Sequence, residues 1–199
     1  MTSYDEKSPA STGQYSSHSF HPDCVYSKVG SRIYRLEEVD STNAWAIDRI
    51  GHGLENGAVI VAEKQLSGRG RFDRIWHSPD GKGLWFSIMI RVNIPIEEIS
   101  LVTLLTAVAV AESIEEATGL KAGIKWPNDI LVNGRKVCGI LTELVENDDP
   151  DASTVVIGIG INVNMTHEDI HRDIVSRATS LAIESGKTLP REILLKLII

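Results

Sequence analysis

Between Glu63 and Arg91 the chain reads E-K-Q-L-S-G-R-G-R-F-D-R-I-W-H-S-P-D-G-K-G-L-W-F-S-I-M-I-R. At its centre, Ser67-Gly68-Arg69-Gly70-Arg71 sets two guanidiniums and two positions without side chains into one short loop. Arginine offers a planar fork of donors that stays charged at any cellular pH. Glycine admits positive φ and lets a backbone come close to a ligand. Over residues 64–82, five basic side chains (Lys64, Arg69, Arg71, Arg74, Lys82) stand against Asp73 and Asp80, a local +3 in a chain of formal net charge −7. Such a loop is suited to closing over an anion. Taken alone, Gly-Arg-Gly-Arg would serve equally as a basic turn in solvent, so its meaning depends on what the rest of the chain places beside it.

The elements that must position the loop follow from periodicity. Ala58–Ala62 and Leu84–Val92 are apolar runs that read as strands on either side of it, and Arg32–Val39 alternates as a half-buried strand does. Asp40-Ser41-Thr42-Asn43 supplies helix-capping chemistry for a short helix over 44–50, ended by Gly51 and Gly53. Pro95, Glu97, Glu98 and Gly119 bracket a helix over 96–118. Its Ile99, Leu101, Val102, Leu104, Leu105, Val108 and Val110 cover most of the circumference, which predicts the most buried helix of the chain. Asn133-Gly134 is a two-residue hairpin turn that would pair Val132 with Arg135 and Leu131 with Lys136, so Lys136 belongs on a strand. A turn is expected at Asn147–Asp151 and a strand over Thr154–Ile157, ending in Gly158-Ile-Gly160-Ile-Asn162. Helices are expected at about 167–184 and from Pro190 onward. Strands and hairpins with few interleaved helices make an α+β pattern rather than a regular βαβ alternation.

Composition narrows the function classes. With 199 residues, 42% hydrophobic and 24% charged, the chain is sized for one soluble globular domain. Its acidic balance argues against a broad nucleic-acid or anionic-membrane surface. Cys24 and Cys138 are too few and too far apart for a disulfide framework or a cysteine zinc site, which points to a reducing compartment such as the cytoplasm. Residues 1–30 are rich in Ser, Thr, His and Pro, without the apolar core of a secretory signal or the basic bias of a transit peptide. They read as a disordered tail. The apolar stretch around Ala107–Ala111 is far short of the ~20 residues of a membrane span. Glu192–Ile199 is an apolar helix without a cap, which reads either as the end of a fragment or as a face covered by another part of the molecule.

Three further stretches suit the same ligand as the loop: the capping run at 40–43, Lys125 to Gly139, and Gly158 to Asn162. With D-S-T-N at 40–43, G-R-G-R and a following Trp at 68–76, K-W-P-N-D at 125–129, R-K-V-C-G-I-L at 135–141 and G-I-G-I-N at 158–162, the sequence resembles the biotin protein ligases over residues 31–199. The resemblance implies a mixed β-sheet with helices packed on one side, related to class II aminoacyl-tRNA synthetases. It implies biotin, ATP and Mg2+ as ligands. Biotinyl-5′-AMP would form first, and biotin would then pass to a lysine of a biotin carboxyl carrier domain.

By that likeness Arg71 and Lys136 are the catalytic cations between carboxylate and phosphate. Ser41, Thr42, Gln65, Gly68, Arg69, Gly139, Gly158 and Gly160 join them in holding biotin. Arg69, Arg74, Trp76, Asn128, Asp129 and Asn162 would serve ATP, with Mg2+ near Asp129. Ser41 to Asn43 also suit plain helix capping, and Trp76 also suits the core. The loop Ser67–Ile75 is expected to be mobile without ligand and ordered over the adenylate.

The family's small C-terminal SH3-like domain has no counterpart in this sequence, and a homodimer is left open. Lipoate or octanoate transfer is the alternative within the same fold. A DNA-binding repressor is not expected, because 30 polar residues are too short for a winged helix. His167-Glu168-Asp169-Ile170-His171 matches the helical zinc-hydrolase pattern. Its position directly after a strand, and its acidic residues in a first helical turn, fit a solvent-facing helix start instead.

Overall fold

The computed structural model describes residues 29–145 and 153–199. The expected tail up to residue 28 and the turn at Asn147–Asp151 lie outside these residues. The described chain forms β1 (Ile33–Val39), α1 (Thr42–Ile50), β2 (Val59–Gln65), β3 (Leu84–Val92), α2 (Ile99–Thr118), β4 (Ala122–Lys125), β5 (Asp129–Val132), β6 (Arg135–Val145), β7 (Ser153–Ile161), α3 (Leu181–Ser185) and α4 (Arg191–Ile198). The strands make one sheet in the order β1-β2-β3-β7-β6-β5-β4. β1 and β2 run parallel and the other neighbours antiparallel, which is the expected mixed sheet. A parallel pair needs a crossover, and α1 lies within it.

Side chains alternate across the pleat, so one sheet carries two apolar layers. Val59, Val61, Leu84, Phe86 and Ile88 meet Val102, Val110 and Ile114 of α2 and Leu194 and Leu195 of α4. The intervening Ile60 and Met89 meet Ala46 of α1 and Val156 on the opposite face. Trp85 continues that second layer with Met165, Ile170 and Ala178. Helices α2 and α4 thus pack on one face as expected, while α1 and the segment after β7 cover the other. Among the described residues no helix is long and apolar enough to cross a membrane.

The Asn-Gly turn forms as predicted. Asn133 (φ 51°) and Gly134 (φ 76°) both have positive φ, and Leu131 pairs with Lys136. Elsewhere the structure corrects the sequence reading. β7 does not stop at Ile157 but runs through Gly158 and Gly160 to Ile161, because both neighbouring strands pair with it over that length. α2 begins at Ile99 after a 3-10 turn over Ile96–Glu98. Its apolar circumference is not buried all round: Leu101, Leu105 and Val108 are exposed, Leu105 by 69%. A helix lying on a sheet buries only the stripe that faces it.

The helix expected over 167–184 shrinks to α3. Asp169 accepts from the backbone N–H and hydroxyl of Thr166 (2.8 and 2.9 Å), closing a turn. Further on, Arg177 to Thr179 extend alongside Lys136 through two backbone hydrogen bonds of 2.8 and 2.9 Å. Extended pairing excludes a helix there, and Ser180 then caps α3 by accepting from Ile183 N (3.1 Å). His167 and His171 therefore do not share a helix face, as the zinc pattern requires.

Candidate active site

Three glycines form the floor of a cleft on the α1 face of the sheet. Gly139 of β6 pairs with Gly160 of β7, and Gly158 pairs with Leu141 and Ser87. A Cβ at Gly158 would collide with the Asn43 amide, and one at Gly160 would lie 2.5 Å from Trp76 Nε1. One at Gly139 would lie 2.9 Å from the Trp76 ring and 3.1 Å from Lys136 Nζ. The glycines are thus required by close approach within a flat strand, not by a bulge.

The mouth of α1 forms one wall. Ser41 caps the helix, its hydroxyl accepting from Ala44 N (3.4 Å). Gln65 Oε1 accepts from the Thr42 N–H (2.9 Å) and hydroxyl (3.2 Å), and its Nε2 donates to Ser78 Oγ (2.8 Å). The buried Asn43 donates to Leu141 O (3.2 Å) and Glu143 Oε2 (2.6 Å) and accepts from Ser87 Oγ (2.5 Å). Helix capping and cleft lining coincide in these residues.

The opposite wall is the arginine loop, which folds back as a narrow hairpin. Trp76 N donates to Gly68 O (2.8 Å) and Gly70 N to Arg74 O (2.7 Å). Positive φ falls not on its glycines but on Phe72 (58°) and Asp73 (55°) at the tip, where the cost of left-handed backbone is real. Gly68 is needed for a different reason, since a Cβ there would meet the Trp76 carbonyl. Phe72 and Ile75 stand 79% and 88% exposed.

Charge is distributed unevenly. Arg69 Nη2 lies 3.0 Å from Glu143 Oε1, and Lys136 Nζ 2.5 Å from Asp129 Oδ1 and 5.0 Å from the Trp76 ring centre. Arg71 donates to Asn128 Oδ1 (3.3 Å) and stacks on Phe72, and among the described residues it has no carboxylate partner. Asn128 is pinned by donating to Ile140 O (2.9 Å). Lys136 is held indirectly by Glu184, which accepts from Thr179, Asn133 and Arg135 and so ties the β5–β6 turn to the segment paired with Lys136. Burial alone would raise the Glu184 carboxyl, but these three donors outweigh it and hold it below the usual range. Burial pushes the neighbouring Cys138 thiol far above its ordinary value.

The cleft brings together Ser41, Thr42, Gln65, Arg69, Arg71, Trp76, Asn128, Lys136, Gly139, Gly158 and Gly160. Four other expected residues do not line it. Gly68 lies beneath the Trp76 carbonyl, Arg74 is exposed, and Asp129 sits behind Lys136. Asn162 is buried at the end of β7 and donates to Thr179 O (2.9 Å). Asn43, quoted only as part of the capping run, lines the cleft, and Ser87 and Glu143 support it. The last two carry no local signal, being ordinary strand residues that only the β3-β7-β6 register assembles. Trp76 covers Gly139 and Gly160 with its indole N–H buried and, among the described residues, unpartnered. The remaining volume is about 50 Å³.

Similar proteins carry this architecture. The model of the Biotin/lipoate A/B protein ligase family matches residues 36–162. The bifunctional ligase/repressor BirA of Bacillus spizizenii is 43% identical over 163 residues, 82% of this chain and 50% of that protein. The biotin--[acetyl-CoA-carboxylase] ligase of Mycobacterium tuberculosis is 33% identical over 146 residues, 71% of this chain and 53% of that protein. Among solved structures, the biotin protein ligase from Aquifex aeolicus in complex with biotin and ATP superposes with a TM-score of 0.70 at 34% identity, covering 84% of this chain and 67% of that one. The chain spans about half the length of the curated relatives it matches. The family match includes the arginine loop, the hairpin of Lys136 and the glycine floor, and on that ground the chain belongs to the Biotin/lipoate A/B protein ligase family.

Proposed function

We propose that the chain activates biotin with ATP to biotinyl-5′-AMP and passes biotin to a lysine of a biotin carboxyl carrier domain, residues 31–199 being the catalytic unit. One observation carries this reading. A hydrogen-bonding wall (Thr42, Asn43, Gln65) and the apolar Leu141 adjoin two cations supplied by separate elements, Arg71 on the loop and Lys136 on β6. A neutral, polar-headed body with an anionic end, meeting a second anion, matches that arrangement.

In the first step a biotin carboxylate oxygen attacks the α-phosphorus of ATP, and the bond to the bridging oxygen of pyrophosphate breaks. Two anions must approach in line, so their mutual repulsion has to be offset by fixed positive charge. Lys136 has three donors and gives one to Asp129, leaving two for carboxylate and phosphate. Arg71, which among the described residues has no carboxylate partner, can meet the transferred group. Among the described residues the buried Trp76 N–H has no acceptor, and it can donate to the ligand; Asn162, the expected adenine partner, is committed to Thr179 O. Asp129 suits Mg2+ arriving with ATP, since that ion takes one or two carboxylates beside substrate phosphates. Bound there, it would shield phosphate charge. In the second step the lysine amine attacks the biotinyl carbonyl, AMP leaves, and the amide forms.

The Aquifex aeolicus complex supports biotin and ATP as substrates, and the ligase of Mycobacterium tuberculosis supports biotin with a carboxylase as acceptor. We propose the cytoplasm as the site of the reaction. The test is incubation with α-labelled ATP and biotin, lipoate or octanoate in parallel. Labelled biotinyl-AMP is expected with biotin alone. Adenylate from lipoate or octanoate in its place would move the substrate to the other branch of the family, and no adenylate from any acid overturns the reading.

A further inference from the structure

Glu143 sits on β6 four residues beyond Gly139, outside the cleft lining, yet it is bound to two walls of the cleft at once. Its Oε2 accepts from Asn43 Nδ2 (2.6 Å) in the first turn of α1, and both its oxygens meet Arg69 Nη2 in the loop (3.1 and 3.0 Å). Asn43 is itself locked. Its Oδ1 takes the Ser87 hydroxyl (2.5 Å), and the flat backbone of Gly158 leaves room for its amide and nothing larger. Glu143 is therefore anchored on its buried side and presents a carboxylate of fixed place to the loop.

An arginine has five donors, and the carboxylate engages only the Nη2 end of Arg69, itself a cleft-lining residue. We propose that Glu143 is a positioning residue for biotin, holding the Arg69 guanidinium by one end so that its remaining donors serve the ligand. This rests on the function proposed above. It assigns Glu143 two tasks: it fixes the side chain of a loop residue before ligand arrives, and it offsets a charge that the bound ligand would otherwise leave desolvated. A loop arginine without such an anchor would spend rotamer entropy on every binding event.

A double-mutant cycle on the full chain tests the proposal, with equilibrium biotin binding measured by calorimetry and thermal melting recorded for each variant. Glu143→Ala is expected to weaken biotin by about tenfold, in line with loss of a charge-assisted hydrogen bond. Arg69→Ala weakens it by at least as much, and the double variant is expected to be no weaker than Arg69→Ala alone. Glu143→Gln keeps an acceptor for Asn43 without the charge, and it should melt like the parent while binding biotin more weakly. If Glu143→Ala weakens binding by the same factor with and without Arg69, or if Glu143→Gln binds as the parent does, Glu143 does not act through Arg69 and the inference fails. A parent that binds no biotin overturns the function itself, which is a distinguishable result.

Discussion

The half of the cleft carried by β6 and β7 and the half carried by the loop between Gln65 and Ser78 are held by different forces. Lys136, Gly139, Gly158 and Gly160 lie in strands paired along their length, over a layer in which Val137, Val155 and Ile161 are fully buried. The loop has a few backbone hydrogen bonds, isolated bridges at Gln65–Ser78 and Arg69–Ile75, and a tip whose apolar side chains face water. A strand ladder fixes a charge before ligand arrives and so suits a group that acts on the transition state. A loop with little buried area opens at low cost and suits access and closure. Both halves carry a cation, but they carry it for different purposes.

The largest effect should come from removing those cations. Lys136→Ala is expected to lower kcat for adenylate formation by about 10²–10³ with little change in the biotin KM, as loss of a preorganised electrostatic contact does. Arg71→Ala should lower kcat/KM by a similar factor, with more of it in KM, because a loop residue gains its position only on binding. Pyrophosphate release at varied biotin and ATP measures both, and identical splits for the two variants would erase the distinction between the halves. The same contrast predicts that biotin with ATP protects residues 67–75 from limited proteolysis.

A smaller effect probes the floor. Gly160→Val places a side chain where the Trp76 indole lies. It should cost about 1–3 kcal/mol if the sheet cannot yield, or about 2–4 °C in melting temperature per kcal/mol for a chain of this size. If the variant melts like the parent, Trp76 moves freely and belongs with the loop half rather than the sheet half.

The smallest concerns the clamp behind Lys136. Glu184, whose side chain is 4% exposed, is held below its ordinary value by its donors in the folded state. A depressed carboxyl contributes stability that is fully present above its unfolded pKa of about 4.3 and lost as pH falls through the lower folded value. Glu184→Gln should therefore cost about 1 kcal/mol at neutral pH, with the difference from the parent shrinking below about pH 4. Urea melts at a series of pH values measure this, and a difference independent of pH would remove charge from the account.

Much of this protein follows from local chemistry. Asn133-Gly134 determined a type I′ turn and with it the pairing of Lys136, because positive φ at two adjacent residues admits few alternatives. The apolar run of Leu84–Val92, the cap at Ser41 and the stop at Gly119 likewise depend on residues within a turn of one another. The arginine loop and its glycines were legible as an anion site, and the five motifs together as a family likeness.

Tertiary structure alone decided where long-range contacts compete with local preference. Residues 167–180 have a helix-like pattern, yet pairing with Lys136 draws 177–179 into extended backbone. The apolar circumference of α2 says nothing of how many neighbours are available, and the sheet supplies only one side. Gly158 and Gly160 read as places where something comes close, but that the something is Asn43 and Trp76 depends on β7 lying between β3 and β6. Glu143 was invisible for the same reason. A carboxylate on a strand has no meaning until the register sets it against an asparagine 100 residues away in the chain and an arginine 74 residues away. Periodicity determines which face a residue takes; only the closed sheet determines what it faces.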